Sequence, residues 1–334
     1  MSAADMKAAE PTAPAQRAAA GSGTQPAGVG DKKPKAKKKA GAYLPFLLIA
    51  PAFIAIVAVF VWPLAKTIIM SFQDVGRREL WSGATPEWVG LQQFTNILSD
   101  GEFWSVVVRT VVFMVVCVVT TMALGLGVAM AMQRMSNWVR LTLTAALIAA
   151  WSMPLLVSTS IFRWFSDSDY GVLNMVLTKY FGLDFQGHNW FINPVQGFLI
   201  IGGVVVWGAI PFVAVTLYAA LLQVPKELEE AASLDGAGVM GVFGYVTWPV
   251  IKPVFQMVAT LSVIWDFNVF GQVFLIRGNK PEPEYSLLGI YSFEKAFSSN
   301  SFSQGSAIAL ISVLLLSGVA VYYLRQLMKI GEVE

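Results

Sequence analysis

Long apolar runs alternate with short polar segments along this chain. Six runs carry at most one charged residue, and each is near or above the roughly 20 residues that an α-helix needs to cross a membrane. They lie between Lys39 and Lys66, between Arg109 and Arg134, and at 141–162, 195–224, 253–276 and 307–324. The runs are continuous and do not alternate with a period of two, which argues against a transmembrane β-barrel. The pattern therefore predicts an all-α membrane protein with six transmembrane helices.

Lysine and arginine predict how these spans are oriented. Basic residues lie before span one, between spans two and three, and after span six: Lys32, Lys33, Lys35, Lys37, Lys38, Lys39, Arg134, Arg140, Arg325 and Lys329. Short loops rich in these residues stay in the cytoplasm. With six spans, both termini are then expected in the cytoplasm, together with the polar segment 225–252 between spans four and five.

The composition agrees with a multi-pass protein of the cell membrane. Of the 334 residues, 56% are hydrophobic and only 13% are charged, against about 25% charged residues in soluble domains. Residues 1–40 hold eight Lys and Arg but three Asp and Glu, and show no apolar periodicity. We expect a disordered basic cytoplasmic tail at 1–40, before a transmembrane domain at 41–334. The lysines fit contact with anionic membrane lipid, and we expect no nucleic-acid partner.

Few residues are suited to catalysis or metal binding. The chain has one cysteine and one histidine, too few for an intrachain disulfide or a structural zinc site. No phosphate-binding loop of the form G-x-x-x-x-G-K-[S/T] and no H-E-x-x-H motif occurs. We therefore expect neither an enzyme nor a bound cofactor.

The segment 225–252 is polar and helix-prone, although it lies between two apolar runs. Pro225 is suited to a helix start, and Glu227 and Glu229 follow where negative charge favours the helix dipole. Gly236 is suited to ending the helix. Small residues dominate the end of this predicted helix and the turn after it: Ala231, Ala232, Gly236, Ala237 and Gly238. Such a face lets a partner surface approach the backbone closely, and Pro249 and Pro253 are expected to begin the next span.

This segment resembles the EAA loop of bacterial ATP-binding cassette (ABC) importer permeases. The resemblance rests on Glu230-Ala231-Ala232, Gly236 after three further residues, and 246–249. The Asp235-Gly236-Ala237 triplet is similar to the form found in carbohydrate-uptake permeases. One departure is Trp248, where the family usually has Leu. With weaker matches elsewhere, the resemblance covers about residues 43–328, and the alternative is an ordinary amphipathic connector between spans.

The resemblance implies the type I ABC importer permease fold and a set of partners. In that family the loop is a cytoplasmic coupling helix that docks into an ATP-binding subunit. Here the docking residues would be Glu230, Ala231, Ala232, Asp235, Gly236 and Ala237. A second homologous permease, two ATP-binding subunits that hydrolyse ATP, and an extracellular solute-binding protein are implied. The implied solute is a sugar or oligosaccharide moved by alternating access; glycerol phosphate, or an ion or solute channel, is the alternative.

One ionisable residue lies within the predicted fifth span. Asp266 is about midway along 253–276, where a charge is costly unless it faces a protein interior or a wet cavity. Polar and aromatic neighbours suit sugar hydroxyls and ring faces, so the expected solute path consists of Trp265, Asp266, Asn268, Phe270 and Gln272. The alternative is that Asp266 is a buried structural acceptor, hydrogen-bonded to Ser, Thr or Gln on a neighbouring span.

Overall fold

The computed structural model describes residues 44–331. The basic tail predicted at 1–40 lies outside the described residues. Contacts divide the chain into two compact units, with the division between Ala55 and Ile56. Every candidate functional residue belongs to the second unit.

Helices dominate the described residues. In chain order, the α-helices are α1 (Leu44–Ile56), α2 (Trp62–Ser71), α3 (Arg77–Ser82), α4 (Gln92–Leu98), α5 (Gly101–Arg134), α6 (Asn137–Trp151), α7 (Leu155–Phe165), α8 (Val172–Phe181), α9 (Pro194–Leu221), α10 (Lys226–Leu234), α11 (Val239–Val242), α12 (Trp248–Phe267), α13 (Gly271–Ile276), α14 (Leu288–Phe293) and α15 (Phe302–Gly331). Three π-helical turns occupy Val57–Val61, Phe243–Thr247 and Glu294–Ser298, and a short 3-10 helix occupies Pro283–Tyr285. The strands β1 (Gln73–Asp74) and β2 (Glu87–Trp88) pair antiparallel, with Gln73 opposite Trp88.

Six segments of the described chain are suited to crossing a membrane. Five are single helical stretches that are long and apolar enough: Phe46–Ser71, Gly101–Arg134, Pro194–Leu221, Val239–Phe267 and Phe302–Arg325. The sixth is the pair α6 and α7, whose axes are bent by 97°. The all-α fold with six apolar crossing segments is thus confirmed when the bent pair counts as one span. The third span differs from the expected continuous helix, because the chain breaks at 152–154.

The fifth span begins and ends earlier than the sequence predicted. Its helical segment runs from Val239 to Phe267, and the residues after it form the separate helix α13. Pro249 therefore lies within the segment and does not begin it. A π-helical turn precedes this proline, and in it the N–H of Trp248 donates to the carbonyl of Phe243. Since a proline ring crowds the carbonyl four residues earlier, we interpret the widened turn as the feature that lets the helix continue.

Helices α5 and α9 form the centre of the second unit, with the most extensive helix–helix interface in the described chain. Gly125 of α5 lies at their closest approach, because an added Cβ there would be 2.9 Å from the Cβ of Val213. Helix α12 packs against both helices and against α15. Its Ile251 and Val258 are buried in one apolar cluster with Leu217 of α9. This packing fixes the position of α12, whose C-terminal end carries Trp265 and Asp266.

Candidate functional site

The segment that resembles a coupling helix is a helix with a defined start and end. Pro225 precedes the first helical residue with a φ of −65°, and Glu227 and Glu229 lie in the first turn of α10. At the other end, the N–H of Ala237 donates to the carbonyl of Ala232 at 3.0 Å, and the N–H of Gly236 donates to Ser233 at 3.1 Å. This pair of bonds is a Schellman motif, which needs a left-handed residue between helix and loop. Gly236 supplies it with a φ of +88°, which confirms the predicted helix end.

The residues of the predicted docking motif divide between two environments. Glu230, Ala231, Asp235 and Gly236 are exposed, whereas Ala232 and Ala237 are half-buried. Ala237 lies close to Gly241 of α11, because an added Cβ on Gly241 would be 3.4 Å from the Ala237 Cβ. The exposed part of the small-residue face is the part that a partner can reach in this chain, and docking there stays a prediction.

Exposed apolar side chains surround the same segment. Leu234 is 88% exposed, Met240 85% and Tyr245 86%. Met240 and Tyr245 belong to the crossing segment Val239–Phe267, where exposure fits lipid contact, whereas Leu234 lies on the polar helix itself, where an exposed apolar side chain is suited to a partner. Sequence reasoning missed these residues because it followed the polar motif; the signal was the apolar side chains that flank it.

The expected solute-path residues lie at the C-terminal end of α12 and just beyond it. Asp266 is the next-to-last residue of that helix and not near its middle, so its predicted place along the span was wrong. Its side chain is only 4% exposed, and its Oδ2 atom has no hydrogen-bond partner among the described residues. No hydroxyl or amide of a neighbouring span bonds Oδ2 in the described chain, so both the solute-path role and the structural-acceptor role of Asp266 stay predictions.

The other four expected residues point into different surroundings. Trp265 and Asn268 are exposed, and the Asn268 Nδ2 atom donates to the carbonyl of Ile264 at 2.9 Å. Phe270 belongs to an aromatic group, with ring centroids 5.1 Å from Phe274 and 5.5 Å from Phe293. Gln272 is half-buried and makes no side-chain hydrogen bond in the described chain. Of the five residues, Asn268 lines the cavity described next and the other four do not, and their place on a solute path stays a prediction.

A cavity of about 490 Å³ does lie beside Asn268. It is lined by Ile264, Phe267, Asn268, Leu288, Gly289, Ser292, Ala309, Ser312, Val313, Leu316, Ser317 and Ala320, from α12, α14 and α15. These side chains are apolar, hydroxyl or amide groups, and none of them is charged. The cavity is therefore suited to an uncharged occupant.

Trp265 also belongs to a row of aromatic side chains from three helices. Its ring centroid is 5.3 Å from that of Phe212 in α9, which in turn is 5.9 Å from that of Trp151 in α6. Both tryptophans are exposed on one side. Sequence reasoning missed Trp151 and Phe212, although each adjoins a proline or a helix break. Flat apolar rings of this kind are suited to stacking against the ring face of a sugar.

Residues 123–329 match the family model described as the binding-protein-dependent transport system inner membrane component. This match includes α10, α12 and the cavity described above. The chain belongs to this family of transport permeases. The sequence resemblance to such permeases is thereby confirmed.

Curated members of the permease family match nearly the whole chain. The diacetylchitobiose uptake system permease protein DasB of Streptomyces coelicolor is 35% identical over 307 residues, which are 92% of this chain and 93% of that protein. The sulfoquinovosyl glycerol transport system permease protein SmoG of Agrobacterium fabrum is 30% identical over 282 residues, or 84% and 89% of the two chains. Because these relatives align from end to end, the family resemblance is not confined to the coupling loop.

A solved structure supports the same fold. A chain of a bacterial ABC transporter involved in the import of the acidic polysaccharide alginate superimposes with a TM-score of 0.72 and 15% sequence identity. The match covers 88% of this chain and 98% of the other. At this identity, the likeness establishes the type I permease fold alone.

Proposed function

We propose that this chain is the permease subunit of an ATP-driven ABC importer that carries a sugar or oligosaccharide across the cell membrane. The observation that carries the proposal is α10 with its surroundings. This polar helix lies between two apolar spans, ends at a left-handed glycine and carries the exposed Leu234, and these features favour docking of a partner. A protein that only had to cross the membrane would not need it.

The sugar assignment rests on the relatives and on the chemistry of the site. The two relatives are named for diacetylchitobiose and sulfoquinovosyl glycerol uptake, and both solutes contain a sugar ring. The aromatic row of Trp151, Phe212 and Trp265 offers stacking surfaces. No charged side chain lines the 490 Å³ cavity, which favours a neutral sugar over glycerol phosphate.

The proposed mechanism is alternating access in a larger assembly. An extracellular binding protein delivers the solute, and a second permease completes the path. Two ATP-binding subunits dock on the coupling helices, with Glu230, Ala231, Ala232, Asp235, Gly236 and Ala237 as the contact on this chain. Their closure on ATP displaces α10, which opens the path outward; hydrolysis reverses it. Both termini and α10 lie in the cytoplasm in this arrangement, with 1–40 as a tail before the permease domain 41–334.

The test is assembly and uptake in cells that express a tagged chain. Purification through the tag is expected to recover an ATP-binding subunit, and uptake of labelled diacetylchitobiose, maltose and glycerol 3-phosphate is then compared. Glu230→Ala and Gly236→Leu are each expected to lower the recovery of that subunit and the uptake together. If the wild-type chain recovers no ATP-binding subunit and imports no sugar, the proposed function is wrong.

A further inference from the structure

Two adjacent glutamates of α10 point in different directions. Glu230 is exposed and makes no side-chain hydrogen bond in the described chain, so it is free to meet a docked partner. Glu229 is half-buried, and its Oε1 atom accepts a hydrogen bond from the Thr247 hydroxyl at 3.0 Å. The two carboxylates are adjacent in sequence, but of the two only Glu229 hydrogen-bonds to another element of the described chain.

The hydrogen bond between Glu229 and Thr247 joins the α10 segment to the base of α12. In the described residues, no other side-chain hydrogen bond and no ion pair joins 226–238 to the rest of the chain; Ser233 bonds only within α10. No residue of α10 is buried, so the helix has no apolar anchor in a core. The orientation of α10 therefore depends on the backbone at its two ends, on the partial burial of Ala232, and on the Glu229–Thr247 hydrogen bond.

Thr247 lies at the base of α12. It is the last residue of the π-helical turn Phe243–Thr247 and is 5% exposed, so its hydroxyl is held by its surroundings. The next residue begins α12, which runs 20 residues without a break to Phe267. At 1.5 Å per residue, such a helix is a rod of about 30 Å. Trp265 and Asp266 lie at the far end of this rod.

We propose that Glu229 is a positioning residue, which ties α10 to the base of α12 through Thr247 so that a displacement of α10 moves α12. The inference rests on the proposed function, because the displacement comes from the docked ATP-binding subunit. The two glutamates then have different roles. Glu230 contacts the ATP-binding subunit, and Glu229 transmits the displacement of α10 to α12. Loss of the bond leaves the partner attached but lets α10 move without α12.

The test compares assembly with the number of ATP molecules hydrolysed per sugar imported. Thr247→Val keeps the shape of the side chain and removes the hydroxyl, whereas Thr247→Ser keeps the hydroxyl. Loss of a hydrogen bond to a charged group changes an equilibrium by roughly tenfold. Thr247→Val and Glu229→Ala are therefore each expected to raise the ATP-to-sugar ratio about tenfold, with normal recovery of the ATP-binding subunit. Thr247→Ser is expected to behave as wild type.

Two further variants make the result specific. Glu227→Gln changes an exposed carboxylate of the same helix, and this carboxylate makes no side-chain hydrogen bond in the described chain. The ATP-to-sugar ratio of this variant is expected to match that of the wild type. The double variant Glu229→Ala with Thr247→Val is expected to be no worse than either single variant, because both remove the same bond. Additive effects would contradict the proposed pairing.

Several outcomes would overturn the inference. An unchanged ATP-to-sugar ratio in Thr247→Val excludes a role in transmission. Lost recovery of the ATP-binding subunit in that variant shows instead that the bond serves assembly. If Thr247→Val is absent from the membrane, Glu229→Ala decides by the same two measurements, since its position is not buried. A wild-type chain without partner or uptake would count against the proposed function and not against this pair.

Discussion

Gly236 offers a test of how the end of α10 supports docking. Its φ of +88° lies in the left-handed region, and within residues 44–331 no heavy atom beyond its two chain neighbours lies within 4 Å of an added Cβ. Replacement by alanine therefore costs only backbone strain, which is about 1–2 kcal/mol for an L-residue. At 1.4 kcal/mol per tenfold change, this shifts the equilibrium constant between the intact and the frayed helix end roughly five- to thirtyfold toward the frayed form. The bond from Ala237 to Ala232 is broken in that form.

A short series of variants separates strain from bulk. Gly236→Asn tolerates the left-handed conformation, Gly236→Ala adds strain, and Gly236→Leu adds the same strain with a long side chain. Gly238→Ala is the matched control, because Gly238 has an ordinary φ of −71° and an open Cβ position. Recovery of the ATP-binding subunit is expected to fall in the order Gly238→Ala, Gly236→Asn, Gly236→Ala, Gly236→Leu.

Two comparisons of recovery between these variants can contradict the predicted role of Gly236 in docking. Equal recovery of Gly236→Ala and Gly238→Ala would show that the left-handed turn is not required for docking. Equal recovery of Gly236→Leu and Gly236→Ala would show that no partner surface approaches this glycine closely. Membrane abundance of each variant is measured alongside, so that a loss of the chain itself is not counted as a loss of docking.

Two other predictions concern orientation and the buried carboxylate. In a Cys117→Ala background, single cysteines at the exposed positions Ser82 and Ser233 are expected to label from opposite sides of the membrane; labelling of position 233 by an impermeant reagent outside intact cells would contradict cytoplasmic placement of α10. Asp266→Asn is expected to lower sugar affinity about tenfold at unchanged membrane abundance, since its Oδ2 atom has no partner in the described chain to lose. A fall in abundance with unchanged affinity would instead make Asp266 a structural acceptor.

The local features of α10 were predictable because their signals are local. Pro225 and Gly236 mark the ends of the helix by backbone conformation alone, and the structure places both ends as expected. Apolar runs likewise show the number of crossing segments, since length and hydrophobicity decide whether a helix can span a membrane.

The breaks in the spans were not predictable from the same signals. Pro154 adjoins the sharp bend between α6 and α7, yet Pro211 and Pro253 lie inside continuous helices. Proline alone therefore does not tell a break from a tolerated kink, because neighbouring helices decide whether the freed backbone groups find partners. The same holds for Asp266, because tertiary packing determines which way a residue at a helix end is turned.

The helix breaks connect the two parts of the candidate site. Trp151 precedes the break before α7, and Trp265 lies near the break after α12, with Phe212 between their rings. Irregular backbone at membrane depth is tolerated only where protein or a water-filled cavity satisfies its polar groups. The aromatic row lies between two such breaks, which is the observation that supports its proposed place on the solute path. In the proposed mechanism, α12 transmits the displacement of α10 to that row, because α12 begins directly after Thr247 and carries Trp265 near its other end.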